Sequence, residues 1–249
     1  MRAELRRLAA AAGREFRIRR PPAFNRRTAL GQEVEFWRNW LATGGLQWPE
    51  DYRFRTDPDA EVDDPVLRQI LQAIPQAKVS ILDVGAGPIT GIGFRYPGKE
   101  LALTAVDPLA REYDRILSEH GLEPVVRTEP LRGEDLLSRF APDSFDVAFA
   151  RNALDHAVDP LPIIRDMVAV VRPAGYVVLR HAVNEAVTED YGQLHQWNFD
   201  ESDGRCLVWR RPGRHRDVAD ELGEHAEVRC TRDNFIDYEW ICCTIRKRE

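Results

Sequence analysis

The sequence lacks any apolar run near the ~18–20 residues that a bilayer-spanning helix requires, so membrane insertion is not expected. It also lacks a recognisable secretory signal. The basic start MRAELRRLAAAAGREFRIRR holds only a short, alanine-rich apolar stretch, and Glu4 and Glu15 interrupt it where a transit peptide would carry no acid. That arm reads as a solvated amphipathic helix. Cysteine is scarce, and Cys206, Cys230, Cys242 and Cys243 have no metal-ligand spacing. Cys242 and Cys243 are adjacent on an expected strand and should point to opposite faces of a sheet. Such usage fits reduced thiols in a cytoplasmic protein. An excess of positive charge is missing too. The formal net charge is −6, which argues against a nucleic-acid partner, although the residues up to Arg27 are strongly basic. There is no internal repeat and no low-complexity segment.

What is present is a chain of 249 residues, 43% hydrophobic and 31% charged, enough for one α/β domain with extensions. Residues 1–75 read as an N-terminal arm and helical cover. Within it, Val34, Trp37, Trp40 and Leu41 form one stripe of a helix over 31–42. Trp48, Pro49 and Tyr52 follow in a polar, acidic loop. Asp64 and Pro65 form the cap and first turn of a helix carrying Val66, Leu67, Ile70, Leu71 and Ile74. From residue 76 to 249 the rhythm changes. Strands are predicted at 79–84, 101–106, 125–127, 145–150 and 176–179, with helices at 109–120 and 161–171. Pro173, Ala174 and Gly175 end the second of these. This alternation implies a parallel sheet with helices on both faces. A polar, aromatic insertion at 182–213 interrupts it. A helix near 217–222 and strands at 226–230 and 238–245 close the chain, the two strands as an antiparallel hairpin at the sheet edge.

The stretch VSILDVGAGPITG, from Val79 to Gly91, organises the rest. A buried strand runs directly into Gly85, Ala86 and Gly87, where backbone must approach something closely and φ > 0 is permitted. In an open α/β sheet that something is usually a nucleotide-like ligand. Asp107, at the end of the second strand, suits a ribose hydroxyl pair; its other role would be to cap the following helix with Pro108. The dinucleotide fingerprint G-x-G-x-x-G needs a third glycine where Thr90 stands, Gly91 being one place late. Asp83, just before the glycines, would repel a pyrophosphate and suits a ligand bearing a cation, or else holds the loop amides. A dinucleotide-dependent oxidoreductase is therefore disfavoured.

These residues resemble the class I S-adenosylmethionine-dependent methyltransferases. ILDVGAGP is similar to the family's first motif, AVDPLA to its second, FDVAFARNALDHAVDP to its strand-four segment, and MVAVVRPAGYVVL to the helix, turn and fifth strand. Ile89 departs from the pattern, standing where the family often has a third glycine. The resemblance implies a Rossmann-like sheet binding S-adenosylmethionine through Asp83, Gly85, Ala86, Gly87, Asp107 and Pro108. Arg151 and Asn152 would support the methionine end. It places the adenine contact at Glu134 or Asp135, which otherwise are surface charges.

Methyl transfer to a hydroxyl needs a base or a metal to take the proton. His156 is the candidate base and Asp155 its neighbour; the pair would otherwise cap the next helix. A divalent ion such as Mg2+ on Asp155 with His181 or His195 is the metal alternative. In the insertion, His181, Asn184, Glu185, Tyr191, His195, Gln196, Trp197 and Asn198 mix hydrogen-bonding and aromatic side chains as sugar sites do. The other reading is a surface hairpin packing Trp197 and Trp209 on the core. His181, Glu185, His195 and Trp197 are the candidate substrate contacts. The insertion is similar to that of bacterial methyltransferases of polysaccharide biosynthesis, including mycobacterial enzymes that O-methylate mannose-containing precursors. That resemblance implies a sugar or oligosaccharide acceptor. An O-, N- or C-methyltransferase of another small natural product is the alternative. Arg17, Arg19 and Arg20 with the Trp37/Trp40 helix are candidates for a lid, and a homodimer stays open.

Overall fold

A computed structural model describes residues 24–235 and 238–249, so the arm with Arg17, Arg19 and Arg20 lies outside the described residues. In chain order it builds α1 (Arg26–Thr43), α2 (Pro49–Thr56), α3 (Pro65–Ala73), β1 (Lys78–Val84), β2 (Glu100–Asp107), α4 (Ala110–Glu119), β3 (Glu129–Pro130), α5 (Leu136–Arg139), β4 (Phe145–Arg151), α6 (Pro160–Val170) and β5 (Val171–Ala182). The second part holds α7 (Glu185–Thr188), β6 (Asn198–Ser202), β7 (Arg205–Trp209), β8 (Arg216–Asp217), α8 (Val218–Leu222), β9 (Ala226–Phe235) and β10 (Tyr238–Lys247). No described helix is long and apolar enough to cross a membrane.

Seven strands form one sheet in the order β3-β2-β1-β4-β5-β10-β9. The first five are parallel; β10 and β9 pair antiparallel at the edge. β1 and β4 are buried on both faces, which is why they read as nearly continuous apolar runs rather than alternating ones. On one face α6 packs Leu161, Ile164, Met167 and Val168 against Leu82, Ala148 and Leu179. On the other, α3 packs Leu67, Ile70, Leu71 and Ile74 against Ile81, Val147 and Val178. Cys242 belongs to the α3 side and Cys243 to the α6 side, as their alternation requires.

The helix starts follow from side-chain caps. Asp64 Oδ1 accepts from the Leu67 N–H, and Asp159 and Asp217 cap α6 and α8 in the same way. α1 begins earlier than the apolar stripe alone indicates, because Asn25 Oδ1 accepts from the Arg27 and Thr28 N–H groups.

Four expectations need correction. The third strand is Glu129–Pro130 and not 125–127; Val125 is exposed. Pro173, Ala174 and Gly175 do not separate helix from strand. α6 ends at Val170, β5 starts at once, and these residues lie within it beside a register shift between Phe145 and Val147, with Ala174 at φ 61°. The loop at Trp48–Tyr52 is helix α2: Pro49 opens it, Glu50 and Asp51 occupy its first turn, and Arg53 and Arg55 its last, which suits the helix dipole without an apolar stripe. Lastly, three cysteines without ligand spacing do meet. Cys230 and Cys243 are cross-strand partners, β7 brings Cys206 over them, and the buried sulfurs lie within 4.8 Å of one another.

The insertion is more than a surface hairpin. β6, β7 and β8 form a three-stranded antiparallel sheet, and Phe199, Cys206 and Val208 are buried in the α6-side core. Met167 sits fully buried at the centre of that core. Met167→Ala should lower stability by about 2–5 kcal/mol, read as a lower urea midpoint at unchanged slope.

Candidate active site

The sheet order reverses between β1 and β4, and the strand ends beside a reversal of this kind leave a crevice. A cleft opens there. Of the residues expected at a cofactor, Asp83, Gly85, Ala86, Gly87, Asp107, Pro108, Glu134, Arg151 and Asn152 line it, and His156 does too. Asp135 does not; it ends the short 3-10 turn at 133–135, whose Glu134 faces the cleft instead.

Local chemistry shapes the loop after β1. Gly85 has φ 76°, its N–H donates to the Val106 carbonyl at 2.8 Å, and a Cβ on it would lie 2.3 Å from the Ala153 methyl. Gly87 has φ 67°, and a Cβ there would meet the Trp37 ring at 2.9 Å. Both glycines thus serve a left-handed turn and close packing by β4's loop and α1, as well as lining the cleft. Ile89, at the position that departs from the family pattern, is buried against Trp40 and Tyr113. Thr90 donates its hydroxyl to Asp83 Oδ2 at 2.6 Å.

Asp107 accepts from the Gly87 N–H at 3.2 Å and from the Leu109 N–H at 2.8 Å. Each carboxylate oxygen keeps further acceptor capacity for a ribose hydroxyl. Burial pushes the Asp107 carboxyl up to about 7, against the two backbone donors, and burial also raises Asp83. Two buried acids with free acceptor capacity line one cleft, and their chemistry fits a ligand that carries hydroxyls and a cation, as S-adenosylmethionine does.

A second cavity adjoins the first and shares Glu33, Trp37, Arg55, Arg151, Asn152 and His156 with it. Its further lining includes Phe36, Trp48, Glu185, Glu189, Gln193, His195, Tyr238 and Trp240. Sequence reasoning missed much of this wall. Asp51 holds both Arg55 Nε and Arg151 Nη2 at 2.8 Å, fastening α2 to the end of β4. Arg55 also donates to the Ile89 carbonyl at 2.7 Å. The charge pattern of α2 was the available signal; the partners are 34 to 100 residues away.

Where the two cavities meet, Asn152 at φ 49° turns the chain out of β4 into a 3-10 turn, Leu154–His156. Asn152 donates to Glu185 Oε1 at 3.0 Å and accepts from the Ala182 N–H, tying β4, β5 and α7 together. The Asp155 carbonyl accepts from the Gln196 and Trp197 N–H groups, which brings His195 alongside. Asp155 is 1% exposed; its Oδ2 lies 2.8 Å from His195 Nδ1 and 3.5 Å from His156 Nε2, and the two ring nitrogens are 3.2 Å apart. Burial works against the charge on Asp155, but the imidazoles of His156 and His195 hold its carboxyl low. Burial would lower His195, yet the hydrogen bond to Asp155 raises it to about 9. Glu185 is pushed up by burial and by the Asp155 charge.

The remaining expected substrate residues are placed elsewhere. His181 is buried, stacked on Phe199 with ring centroids 4.0 Å apart, and lines neither cavity; burial lowers it to about 4. Trp197 is buried in the α6-side core with Nε1 donating to the Val158 carbonyl, and Arg210 stacks over its ring. Asn184, Asn198 and Gln196 bond within the insertion, to Asp200, to the Val187 N–H and to the Tyr191 carbonyl.

Residues 82–179 match the family model described as a methyltransferase domain. The chain is 30% identical over 132 residues to a ubiquinone biosynthesis O-methyltransferase of Ralstonia nicotianae, covering 52% of this chain and 53% of that protein. It is 31% identical over 173 residues to a methyltransferase of Mycolicibacterium paratuberculosis, covering 64% of this chain and 60% of that one. The chain thus spans little more than half the length of these curated relatives. Two solved structures share the fold at TM-score 0.51, each over 74% of this chain. The carbon methyltransferase CurJ is 16% identical over 52% of its chain, and the trans-methyltransferase CalH, in complex with SAH, 14% over 55%.

If Asp107 holds the ribose, Asp107→Ala should weaken S-adenosylhomocysteine binding by about 1.5–3 kcal/mol, the usual size for hydrogen bonds to a charged group. Calorimetry reads this directly, and unchanged affinity would remove Asp107 from the ribose. Residues 82–179 are thus similar to a methyltransferase domain, and the 3-2-1-4-5 parallel order with its antiparallel edge is the fold of the class I methyltransferases.

Proposed function

We propose that this chain transfers the methyl group of S-adenosylmethionine to a hydroxyl of a small molecule seated in the second cavity, with a sugar or oligosaccharide as the acceptor. The observation that carries the reading is that His156 lines both cavities, with Asp155 and His195 against it. A group at that junction stands between the reactive methyl and whatever occupies the second cavity. S-adenosylmethionine supplies an electrophilic methyl, whose bond to sulfur breaks with its electron pair left on sulfur. The acceptor oxygen forms the new bond to carbon, and its proton passes to the Asp155–His156–His195 cluster. Asp83 faces the positive end of the donor, Asp107 holds its ribose, and Glu134 is the adenine-side contact.

A sugar is favoured by the make-up of the second wall. Trp37, Trp48, Tyr238 and Trp240 offer apolar faces, and Glu33, Gln193, Glu185 and Glu189 offer hydrogen-bonding groups. A phenolic hydroxyl is the second reading, favoured by the ubiquinone-pathway name of the Ralstonia relative. The two differ in the proton to be removed: a phenol near pKa ~10 needs less help than a sugar alcohol.

Labelled S-adenosylmethionine offered with unmethylated and partly methylated mannosides, with catechols and with amines distinguishes them. Label in the sugars supports the proposal; label confined to catechols selects the phenolic reading, and label in amines overturns both. His156→Ala should lower kcat about 10²–10⁴-fold while leaving S-adenosylhomocysteine affinity within a few-fold, and full turnover in that variant would remove His156 from the reaction.

A further inference from the structure

We infer that Asp155, His156 and His195 form a three-ligand site for a divalent first-row transition metal, placed so that the metal's open positions face the second cavity. Asp155 Oδ2, His156 Nε2 and His195 Nδ1 lie 2.8, 3.2 and 3.5 Å from one another. Donors bonding one ion at about 2.0–2.2 Å, at angles between octahedral and tetrahedral, must themselves stand about 3 to 3.5 Å apart. No hydrogen-bond arrangement accounts for the triangle as well. The two ring nitrogens face the same carboxylate oxygen and also face each other, and a proton on either nitrogen serves only part of that set.

The surroundings point the same way. Asp155 Oδ1 and Glu185 Oε2 are buried and have no hydrogen-bond partner among the described residues, and Glu185 Oε2 lies 3.9 Å from His195 Nδ1. Two carboxyl groups, Asp155 and the largely buried Glu185, therefore flank two imidazoles. Such a concentration of acceptors is stabilised by positive charge beside it, whether from a protonated imidazole or from a metal ion. His156, His195 and Glu185 all line the second cavity, so the site opens to an incoming hydroxyl.

The donor set selects the ion. Two imidazoles with one carboxylate suit Zn2+, Mn2+, Fe2+ or Co2+, whereas Mg2+ takes oxygen ligands and keeps its water. Of the two histidines expected as alternatives beside Asp155 for a Mg2+ site, this site uses His195; the His181 ring is turned away onto Phe199 with Nδ1 4.0 Å from Asp155 Oδ1. Resting on the proposed methyl transfer to a hydroxyl, the metal would bind the acceptor oxygen and make its proton easier to lose; with the three ligand atoms committed to the ion, that proton would leave to solvent water in place of the cluster.

The test uses Co2+ as the probe. Metal-stripped full-length protein, with neither methyl donor nor acceptor present, is titrated with Co2+ and followed by visible ligand-field absorption. One equivalent should bind. His195→Ala and His156→Ala should each weaken binding by at least ~10-fold, and Asp155→Asn, which keeps the side chain's shape, should do the same where an alanine variant fails to fold. Absence of Co2+ binding in the unmodified protein overturns the inference, and so does equal binding in the variants. The buried Cys206–Cys230–Cys243 cluster is the competing location, so Cys206→Ala should leave the signal intact; its loss there also overturns the inference. Because no methyl donor is present, a failed titration leaves the methyl-transfer reading standing. A failed methyl-transfer assay likewise leaves the metal site standing.

Discussion

Everything in this molecule is arranged around the end of one strand. β1 is buried on both faces, and at Val84 it runs out beside the place where strand order reverses. The Gly85 and Ala86 N–H groups both turn onto the Val106 carbonyl of β2, which ends the ladder and bends the chain. Gly85 and Gly87 take positive φ, and the Gly87 N–H donates to Asp107 at the end of the neighbouring strand. That bond and the Thr90 hydroxyl on Asp83 hold two acids at fixed positions around one cleft. The arrangement keeps both carboxyl groups buried, which disfavours their charge.

The second consequence is a cover built from residues remote in sequence. Trp37 lies over Gly87, where a side chain on the loop would exclude it, and Arg55 reaches the Ile89 carbonyl while sharing Asp51 with Arg151. The N-terminal helices therefore shape the wall between the two cavities. They are bound by ion pairs at 17% exposure or less, where screening by water is weak, as well as by apolar contact.

The insertion after β5 divides its work. Its small sheet gives Phe199, Cys206 and Val208 to the core, and Asn198 accepts from the Val187 N–H at the start of the insertion. Only the segment between, with Glu185, Gln193 and His195, reaches the second cavity. The Asp155 carbonyl fixes that segment through the Gln196 and Trp197 N–H groups, so the same residue sets both the loop's path and the charge beneath it.

Strand order along the chain, the glycine turn and the flanking acids were legible in the sequence, because each depends on neighbours within a few residues. Apolar runs mark strands buried on both faces, glycines mark positive φ, and Asp64 or Asp217 mark helix starts through bonds to the next turn. The acceptor side was only half legible. His156 and His195 could be singled out as residue types, but which histidine meets Asp155 depends on a loop fold some 40 residues away, and it is His195 and not His181. Trp197 and the three meeting cysteines show the same limit from the other side: a residue's chemistry is local, whereas its neighbours are chosen by strand pairing and sheet packing. The sequence by itself determined the fold class and the acid-flanked glycine turn that lines the first cleft. Only the tertiary structure decided the second cavity and the Asp155–His156–His195 triangle, because long-range packing alone brings α1, α2, β4 and the insertion to one point.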